Sequence, residues 1–155
     1  MITPIQTVMS KTITTVPLGT TLQEASELMT EKRIRHLPIT NSNKGIVGII
    51  SLRDLNLAST PMDTKVDQLM SSPVRSVDQH LSLRSAILKM LESKISCLLI
   101  SDEKRAAVGI VTTDDLLWYL AHLISEEKAD FLKPFDVSKL NTIGEVANEL
   151  SLMGI

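Results

Sequence analysis

The sequence predicts an α+β fold in which two β-α-β-β-α repeats pack on each other about a pseudo-twofold axis. The phrase VGIISLRDL at 47–55 returns as VGIVTTDDL at 108–116, an offset of 61 residues. At that offset, 15 of the 47 residue pairs from Met9/Met70 to Leu55/Leu116 are identical. A unit of about 60 residues is marginally stable alone, and two copies are too few for a solenoid. The copies should therefore bury their apolar faces against each other.

The first repeat begins with a short extended segment that ends at Val16. A helix follows, because Thr21 and Glu24 have the spacing of a capping box and an apolar stripe comes after them: Leu22, Ala25, Leu28 and Met29. Two strands, HLPIT at 36–40 and GIVGIIS at 45–51, flank the polar turn NSNK. A second helix should begin at Leu52.

The second repeat has the same order of elements. Ser82 can cap its first helix, whose apolar stripe is Leu83, Ala86, Ile87, Met90 and Leu91. The closing helix should run from Thr113 towards Phe131, and a capping box at Thr142 and Glu145 predicts a final amphipathic helix. We expect repeats at 1–60 and 61–127, followed by a C-terminal helical extension at 128–155.

Composition excludes several classes of function. The net charge is −2, so no overall basic field attracts nucleic acid or anionic lipid. No apolar stretch is long enough to insert in a membrane, which favours a cytoplasmic location. The single cysteine, Cys97, should be a small buried hydrophobic residue. The three histidines have no metal-ligand spacing, and no phosphate-binding glycine loop occurs, so neither a metal site nor catalysis is expected.

The doubled phrase also predicts a site. A strand ends at Ser51 and a helix begins next to it, so unpaired backbone N–H groups favour an anion there. The Ser51 hydroxyl could donate to a phosphate, and the Asp54 carboxylate could accept from a ribose diol. The same spacing is close to that of a capping box, which needs no ligand. The two interpretations are compatible, and both apply equally to Thr112 and Asp115.

The two copies of this corner differ in charge. Arg53 precedes the aspartate in the first copy, and Arg35 and His36 lie on the neighbouring strand. The second copy has Asp114, Ser96 and Cys97 at the equivalent positions. Because Asp114 would repel a phosphate that Arg53 would attract, we expect stronger binding at Ser51 and Asp54 than at Thr112 and Asp115.

Two such repeats, with RHLPI in the first and G-h-h-[ST]-x-x-D at the end of each, resemble a tandem pair of cystathionine-β-synthase (CBS) domains, called a Bateman module. The resemblance covers about residues 8–127. It implies a three-stranded sheet with helices on one face of each repeat, and two clefts between the repeats. Such modules commonly form dimers, often bind adenosyl ligands, and usually regulate a linked protein.

The resemblance also implies cleft-lining residues by position. Those just before the first strand are Thr14 and Thr15 in the first repeat and Arg75 and Ser76 in the second. Arg75 would then supply a positive charge to the second cleft. The adenine would lie against the RHLPI strand at His36, Leu37 and Pro38, although for His36 alone a surface or packing role is favoured. Pro38 suggests an edge position or a strand whose backbone faces a cleft.

Three functions follow in order of preference. The first is a regulatory module that senses AMP, ADP or ATP, or less readily S-adenosylmethionine or NAD, with no required cofactor. It would act as a homodimer, formed through its CBS helices, on an unknown regulated protein. The second is a ligand-free dimerisation or docking module, in which the Ser/Thr-x-x-Asp pairs are only caps. The third is an enzyme.

Overall fold

The computed structural model describes residues 3–57 and 60–124. The predicted extension at 128–155, its capping box at Thr142, and the end of the closing helix near Phe131 lie outside the described residues. The order β-α-β-β-α, expected from the duplication, is confirmed in both repeats.

Each predicted element has a clear counterpart. The first repeat contains β1 (Val16–Pro17), α1 (Leu22–Lys32), β2 (His36–Thr40), β3 (Ile46–Ser51) and α2 (Leu52–Leu57). The second contains β4 (Ser76–Asp78), α3 (Leu83–Ser93), β5 (Cys97–Ser101), β6 (Ala107–Thr112) and α4 (Thr113–Ile124). One 3₁₀ turn precedes the first strand of each repeat, at Ile5–Thr7 and Val66–Gln68.

Both helix caps form as predicted. The backbone N–H of Glu24 donates to the Thr21 hydroxyl over 3.1 Å, and the Glu24 carboxylate accepts from the Thr21 backbone N–H over 2.8 Å. The Thr21 backbone N–H and the Thr21 hydroxyl both donate to the Glu24 carboxylate, and these two bonds hold the pKa of Glu24 below its ordinary value. Ser82 accepts from the backbone N–H of Ser85 over 3.1 Å in the second repeat. The capped helices bury equivalent residues, which are Leu22, Ala25 and Met29 in α1 and Leu83, Ala86 and Met90 in α3.

The strands form two three-stranded sheets, β1-β2-β3 and β4-β5-β6, in which the middle strand is parallel to the first and antiparallel to the third. Pro38 lies in a middle strand, so the edge position suggested for it is wrong. At the equivalent place in the second sheet, the Leu99 N–H donates to the Arg75 carbonyl over 3.1 Å. Proline has no N–H to donate. Pairing of the first strand therefore begins one residue later in the first repeat, at Val16, than in the second.

The two repeats exchange the segments that precede their first strands. Ile5 is fully buried in the core of the second repeat, and Val66 is fully buried in the core of the first. The Ile5 N–H donates to Leu81 over 2.8 Å, and the Val66 N–H donates to Thr20 over 2.9 Å. Each repeat thus completes its core with a segment of the other, and the boundary near residue 60 in the sequence is not a boundary in packing.

The same segments continue as an added strand on the partner repeat. Ser10 and Ile110 exchange two backbone hydrogen bonds, each of 2.9 Å, and Ser71 and Ile49 do the same at 2.8 and 3.1 Å. Directly beside each bridge, a methionine packs on a glycine of β3 or β6. A Cβ atom at Gly48 would overlap the Met70 sulfur and lie 2.8 Å from its Cγ, and one at Gly109 would lie 3.0 Å from Cγ of Met9. The two glycines in the doubled phrase therefore make room for methionines of the exchanged segments.

Substituting Gly48→Ala should destabilise the protein by about 1–3 kcal/mol, because an added methyl group in a packed interface forces its neighbours to shift. Urea denaturation would measure the change. Gly45→Ala is the matched control, since its Cβ would lie 3.4 Å from the nearest atom, a side-chain oxygen of Asn41. If Gly48→Ala were no more destabilising than Gly45→Ala, this packing would not constrain the fold.

Candidate functional site

Two clefts lie between the repeats, one at each strand-to-helix corner. The first, which we call the Ser51 cleft, has a volume of about 400 Å³. The first repeat contributes His36, Ile49, Ser51, Arg53 and Asp54, and the second contributes Ser71, Pro73, Val74, Arg75, Lys94, Ile95, Ser96 and Cys97. The volume falls within the usual range for sites that bind small molecules.

The second cleft, which we call the Thr112 cleft, has a volume of about 330 Å³. Here the first repeat contributes Ser10, Thr12, Thr14, Arg33, Ile34, Arg35 and His36, and the second contributes Ile110, Thr112, Asp114, Asp115 and Trp118. Each cleft therefore combines the Ser/Thr-x-x-Asp corner of one repeat with the helix-to-strand connection of the other.

Both corners adopt the geometry of a cap. Oδ2 of Asp54 accepts from the Ser51 backbone N–H over 2.7 Å and from its hydroxyl over 2.6 Å. Asp115 accepts the same two bonds from Thr112, both at 2.7 Å. Each carboxylate uses one oxygen in this way, and Oδ1 accepts no hydrogen bond among the described residues. The corner is capped, yet one carboxylate oxygen is still free to accept from a ligand.

The clefts differ in charge. Three basic side chains, Arg53, Arg75 and Lys94, line the Ser51 cleft together with the single carboxylate of Asp54, which gives a net charge of +2. In the Thr112 cleft, two arginines face two aspartates, and Arg35 forms an ion pair with Asp114. Half-exposed ion pairs of this kind contribute little stability, about 0–1 kcal/mol. The pair does, however, neutralise the carboxylate that the sequence led us to regard as repulsive.

Three residues lie in a different place from the one expected. Thr14 lines the Thr112 cleft, Arg75 lines the Ser51 cleft, and Arg35 lies beside Asp114 rather than beside Ser51. The expectation that Arg75 would supply charge to the second cleft is therefore wrong. The cause is the exchange of leading segments, which carries the residues before each first strand to the corner of the other repeat.

Most of the strand residues proposed as an adenine platform are not available. Leu37 is fully buried in the core of the first repeat, and Pro38 is also buried, so neither lines a cleft. Thr15 borders a separate cavity with Thr40 and Lys44. Of the RHLPI residues, Arg35 lines the Thr112 cleft, and His36 borders both clefts.

His36 lies where the repeats meet. Its Nε2 atom is 2.8 Å from the hydroxyl of Ser96 in the other repeat. Burial lowers the pKa of His36 below its ordinary value, and the neighbouring charge of Arg35 lowers it further, against the opposing effect of Asp114. The ring is therefore neutral at physiological pH, and it contributes hydrogen bonding and surface rather than charge.

Lys94 and Ser96 of the Ser51 cleft were not identified from the sequence. Lys94 ends α3 in a left-handed conformation with φ 52°, and Arg33 ends α1 in the same way with φ 54°. The offset of 61 relates these two residues, as it relates Arg35 to Ser96. The end of the first helix in each repeat lies at the strand-to-helix corner of the other repeat. With that pairing known, the repeat pattern would have predicted both Lys94 and Ser96.

The fold and its paired clefts define a module of two CBS domains. The family model described as "CBS domain" matches residues 5–59 and 66–122, so the chain belongs to the CBS domain family.

Solved structures agree with this assignment. An uncharacterized conserved protein from Pyrococcus horikoshii is 31% identical with a TM-score of 0.73, over 83% of this chain and 98% of its own. The CBS domain pair of protein MJ0100, solved with 5′-methylthioadenosine and S-adenosyl-L-methionine, is 26% identical with a TM-score of 0.73. That alignment covers 79% of this chain and 99% of the other.

A curated relative shares the module within a longer protein. Homoserine O-acetyltransferase from Methanosphaera stadtmanae is 35% identical over 109 residues, which are 70% of this chain and 22% of that protein. This chain thus spans about a fifth of the length of that enzyme. CBS domain pairs are regulatory rather than catalytic, and the acetyltransferase activity belongs to a different part of the relative.

Within residues 3–57 and 60–124, no group of three or more His, Cys, Asp or Glu side chains could hold a metal ion. In the same part of the chain, no helix has the length and apolar character needed to cross a membrane.

The Cys97 thiol should react slowly in the native protein. Burial raises its pKa from 9.0 to about 12, with a smaller contribution from the charge of Asp115. The reactive species is the thiolate, so at pH 8 labelling by a disulfide reagent should be about a thousandfold slower than in guanidinium chloride. Rapid labelling of one thiol per native chain would contradict the burial.

His36 should make stability depend on pH. Its pKa is lowered in the native state, so the unfolded state binds the proton more readily. The free energy of unfolding should therefore decrease as pH falls through about 6.5, and not change from this cause above that value. Urea denaturation at pH 7.5 and 5.5 should show a smaller decrease for His36→Gln than for the wild type. The exposed His80→Gln variant controls for removal of an imidazole, and identical decreases in all three proteins would contradict the prediction.

Proposed function

We propose that this chain is a regulatory module that binds an adenine nucleotide of the AMP, ADP or ATP class in the Ser51 cleft and modulates a partner protein. The single observation that supports this choice is the group of three basic side chains around one carboxylate in a cleft of suitable volume. No anionic partner is found among the described residues for Arg53, Arg75 or Lys94, so their charges are available to phosphate.

Each part of such a ligand has a complementary part of the cleft. Ile49, Pro73, Val74 and Ile95 provide an apolar wall for the adenine. The free carboxylate oxygen of Asp54 suits the ribose hydroxyls, because an ionised carboxylate is only an acceptor. The three cations then face the phosphates. Binding of adenosyl compounds by the CBS domain pair of protein MJ0100 supports the adenosine part of the proposal.

The Thr112 cleft fits a different adenosyl ligand. Its charges are balanced, and one of its two arginines, Arg35, is already paired with Asp114. A neutral or zwitterionic compound such as 5′-methylthioadenosine or S-adenosylmethionine is therefore better matched to it than AMP. We propose Thr14, Thr112 and Asp115 as its contacts.

Regulation would follow from the composition of the clefts. Both repeats line each cleft, so a bound ligand stabilises one relative arrangement of the repeats. A partner that binds this arrangement with a different affinity would sense the ligand. The homodimer, the partner and a cytoplasmic location remain predictions.

A ligand-free docking module is the alternative, and one observation favours it. Within each Ser/Thr-x-x-Asp corner, the serine or threonine already donates its hydrogen bonds to the aspartate as a cap. Leucine side chains on α3 and α4 are also exposed, with Leu91 at 68% and Leu117 at 63%. In this interpretation those surfaces bind another protein, and the clefts are empty grooves.

Thermal unfolding with AMP, ADP, ATP, S-adenosylmethionine and NAD separates the two functions. AMP at about 100 times its dissociation constant should add about 2.7 kcal/mol to the native state, which raises the melting temperature by about 5–10 °C. Adenosine should bind at least about tenfold more weakly than AMP, since it lacks the phosphate that the three cations bind. If none of the five compounds raises the melting temperature, the docking function is favoured.

The repeat offers a matched pair of variants for the same measurement. Asp54→Ala and Asp115→Ala remove the same capping bonds, so each should lower the basal melting temperature by a similar amount. Only Asp54→Ala should abolish the shift produced by AMP. Equal loss of the shift in both variants, or the reverse order, would contradict the assignment of AMP to the Ser51 cleft.

A further inference from the structure

A third and larger cavity lies away from both strand-to-helix corners, at the hairpin ends of the two sheets. Its volume is about 710 Å³. Residues related by the offset of 61 line it in pairs, among them Thr15 with Ser76 and Lys44 with Arg105. We call it the hairpin cavity. Because both repeats contribute equivalent positions, it lies between the two hairpins.

The hairpins hold their basic residues in defined places. In the first turn, the Lys44 N–H donates to the Asn41 carbonyl over 2.9 Å. In the second, the Arg105 N–H donates to the Asp102 carbonyl over 2.9 Å. Lys44 has φ 60° and Arg105 has φ 62°, a left-handed conformation in which Asn or Gly is usually found. The sequence nevertheless has a basic residue at this position in both repeats.

Four polar side chains of the hairpin cavity have no partner within the described residues, whereas the hydroxyls of Thr40 and Ser101 donate to backbone carbonyls. Among the described residues, neither Lys44 nor Arg105 has an acidic partner, and the side chains of Thr15 and Ser76 make no hydrogen bond. No carboxylate lines the cavity within this part of the chain. The Asp102 carboxylate, which is nearest in sequence, accepts from the backbone of Lys104 and Ala106. Two positive charges and two hydroxyl groups therefore face a space with no compensating negative charge.

The rest of the lining is apolar. Ile13 and Val74 form one related pair, and the buried Leu99 and Ile100 lie beside them. Cationic donors next to an apolar surface are complementary to an organic anion, with its charge at the donors and its apolar body on the surface.

We propose that the hairpin cavity is a second type of binding site in this protein, for a small organic anion that carries a phosphate or carboxylate on an apolar body. It is distinct from the two clefts, since it shares no lining residue with the Thr112 cleft and only Val74 with the Ser51 cleft. Its charge comes from Lys44 and Arg105, and Thr15 and Ser76 donate hydrogen bonds to the same anionic group.

Phenyl phosphate is a suitable probe, and backbone amide chemical shifts give a readout for each site. Saturable shifts are expected at 44–46 and 105–107, and phenol, which lacks the charge, should not produce them. The double variant Lys44→Gln/Arg105→Gln should weaken phenyl phosphate binding at least tenfold. Both residues are exposed, so the native spectrum should otherwise be retained.

The control is Lys89→Gln/Lys104→Gln, which makes the same change in net charge outside the hairpin cavity and should leave the affinity unchanged. Shifts confined to the corners at 51–54 and 112–115, or equal weakening by both double variants, would overturn the proposal. The absence of saturation up to tens of millimolar would do the same. The AMP-induced rise in melting temperature should persist in Lys44→Gln/Arg105→Gln, so this test and the test of the Ser51 cleft can fail separately.

Discussion

The reciprocal exchange of leading segments is the constraint on which the rest of the structure depends. Ile5 and Val66 each fill the core of the other repeat, and the bridges at Ser10 and Ser71 extend the other repeat's sheet. A repeat of this size buries so little apolar surface that it is only marginally stable alone. The exchange adds buried surface and backbone hydrogen bonds at once, so neither repeat is complete without the chain of the other. The duplication is therefore a structural requirement as well as a feature of the sequence.

The exchange also determines the composition of the clefts. It brings Arg75 beside Ser51 and Thr14 beside Thr112. Each corner therefore faces a residue that precedes the first strand of the other repeat, and the offset of 61 relates Thr14 to Arg75. The two clefts have related backbones but different charges, since Arg53 and Asp114 occupy equivalent positions. The same backbone arrangement, used twice with different side chains, thereby produces one basic cleft and one balanced cleft.

Local signals in the sequence predicted local structure well. The capping box at Thr21 and Glu24, the strand at HLPIT and the helix start at Leu52 all depend on neighbouring residues, and all are confirmed. What could not be predicted was the repeat to which a segment attaches. Arg35 is adjacent to His36 in the chain, yet its charge is neutralised by Asp114, which is 79 residues away. No periodicity in the sequence predicts this ion pair, because it depends on how the two folded repeats are placed relative to each other. Similarly, Leu37 and Pro38 resemble a ligand platform in sequence, but their burial depends on the core beneath the sheet.

The position of His36 has a consequence for communication within the module. His36 lines both the Ser51 cleft and the Thr112 cleft, and its Nε2 atom is hydrogen-bonded to the hydroxyl of Ser96. A molecule that turns this ring on one side reshapes the surface offered on the other. The two affinities are then thermodynamically linked, and by reciprocity each occupant alters the binding of the other by the same factor. If both clefts bind ligands as proposed, the protein would respond to the two ligands jointly rather than to each alone.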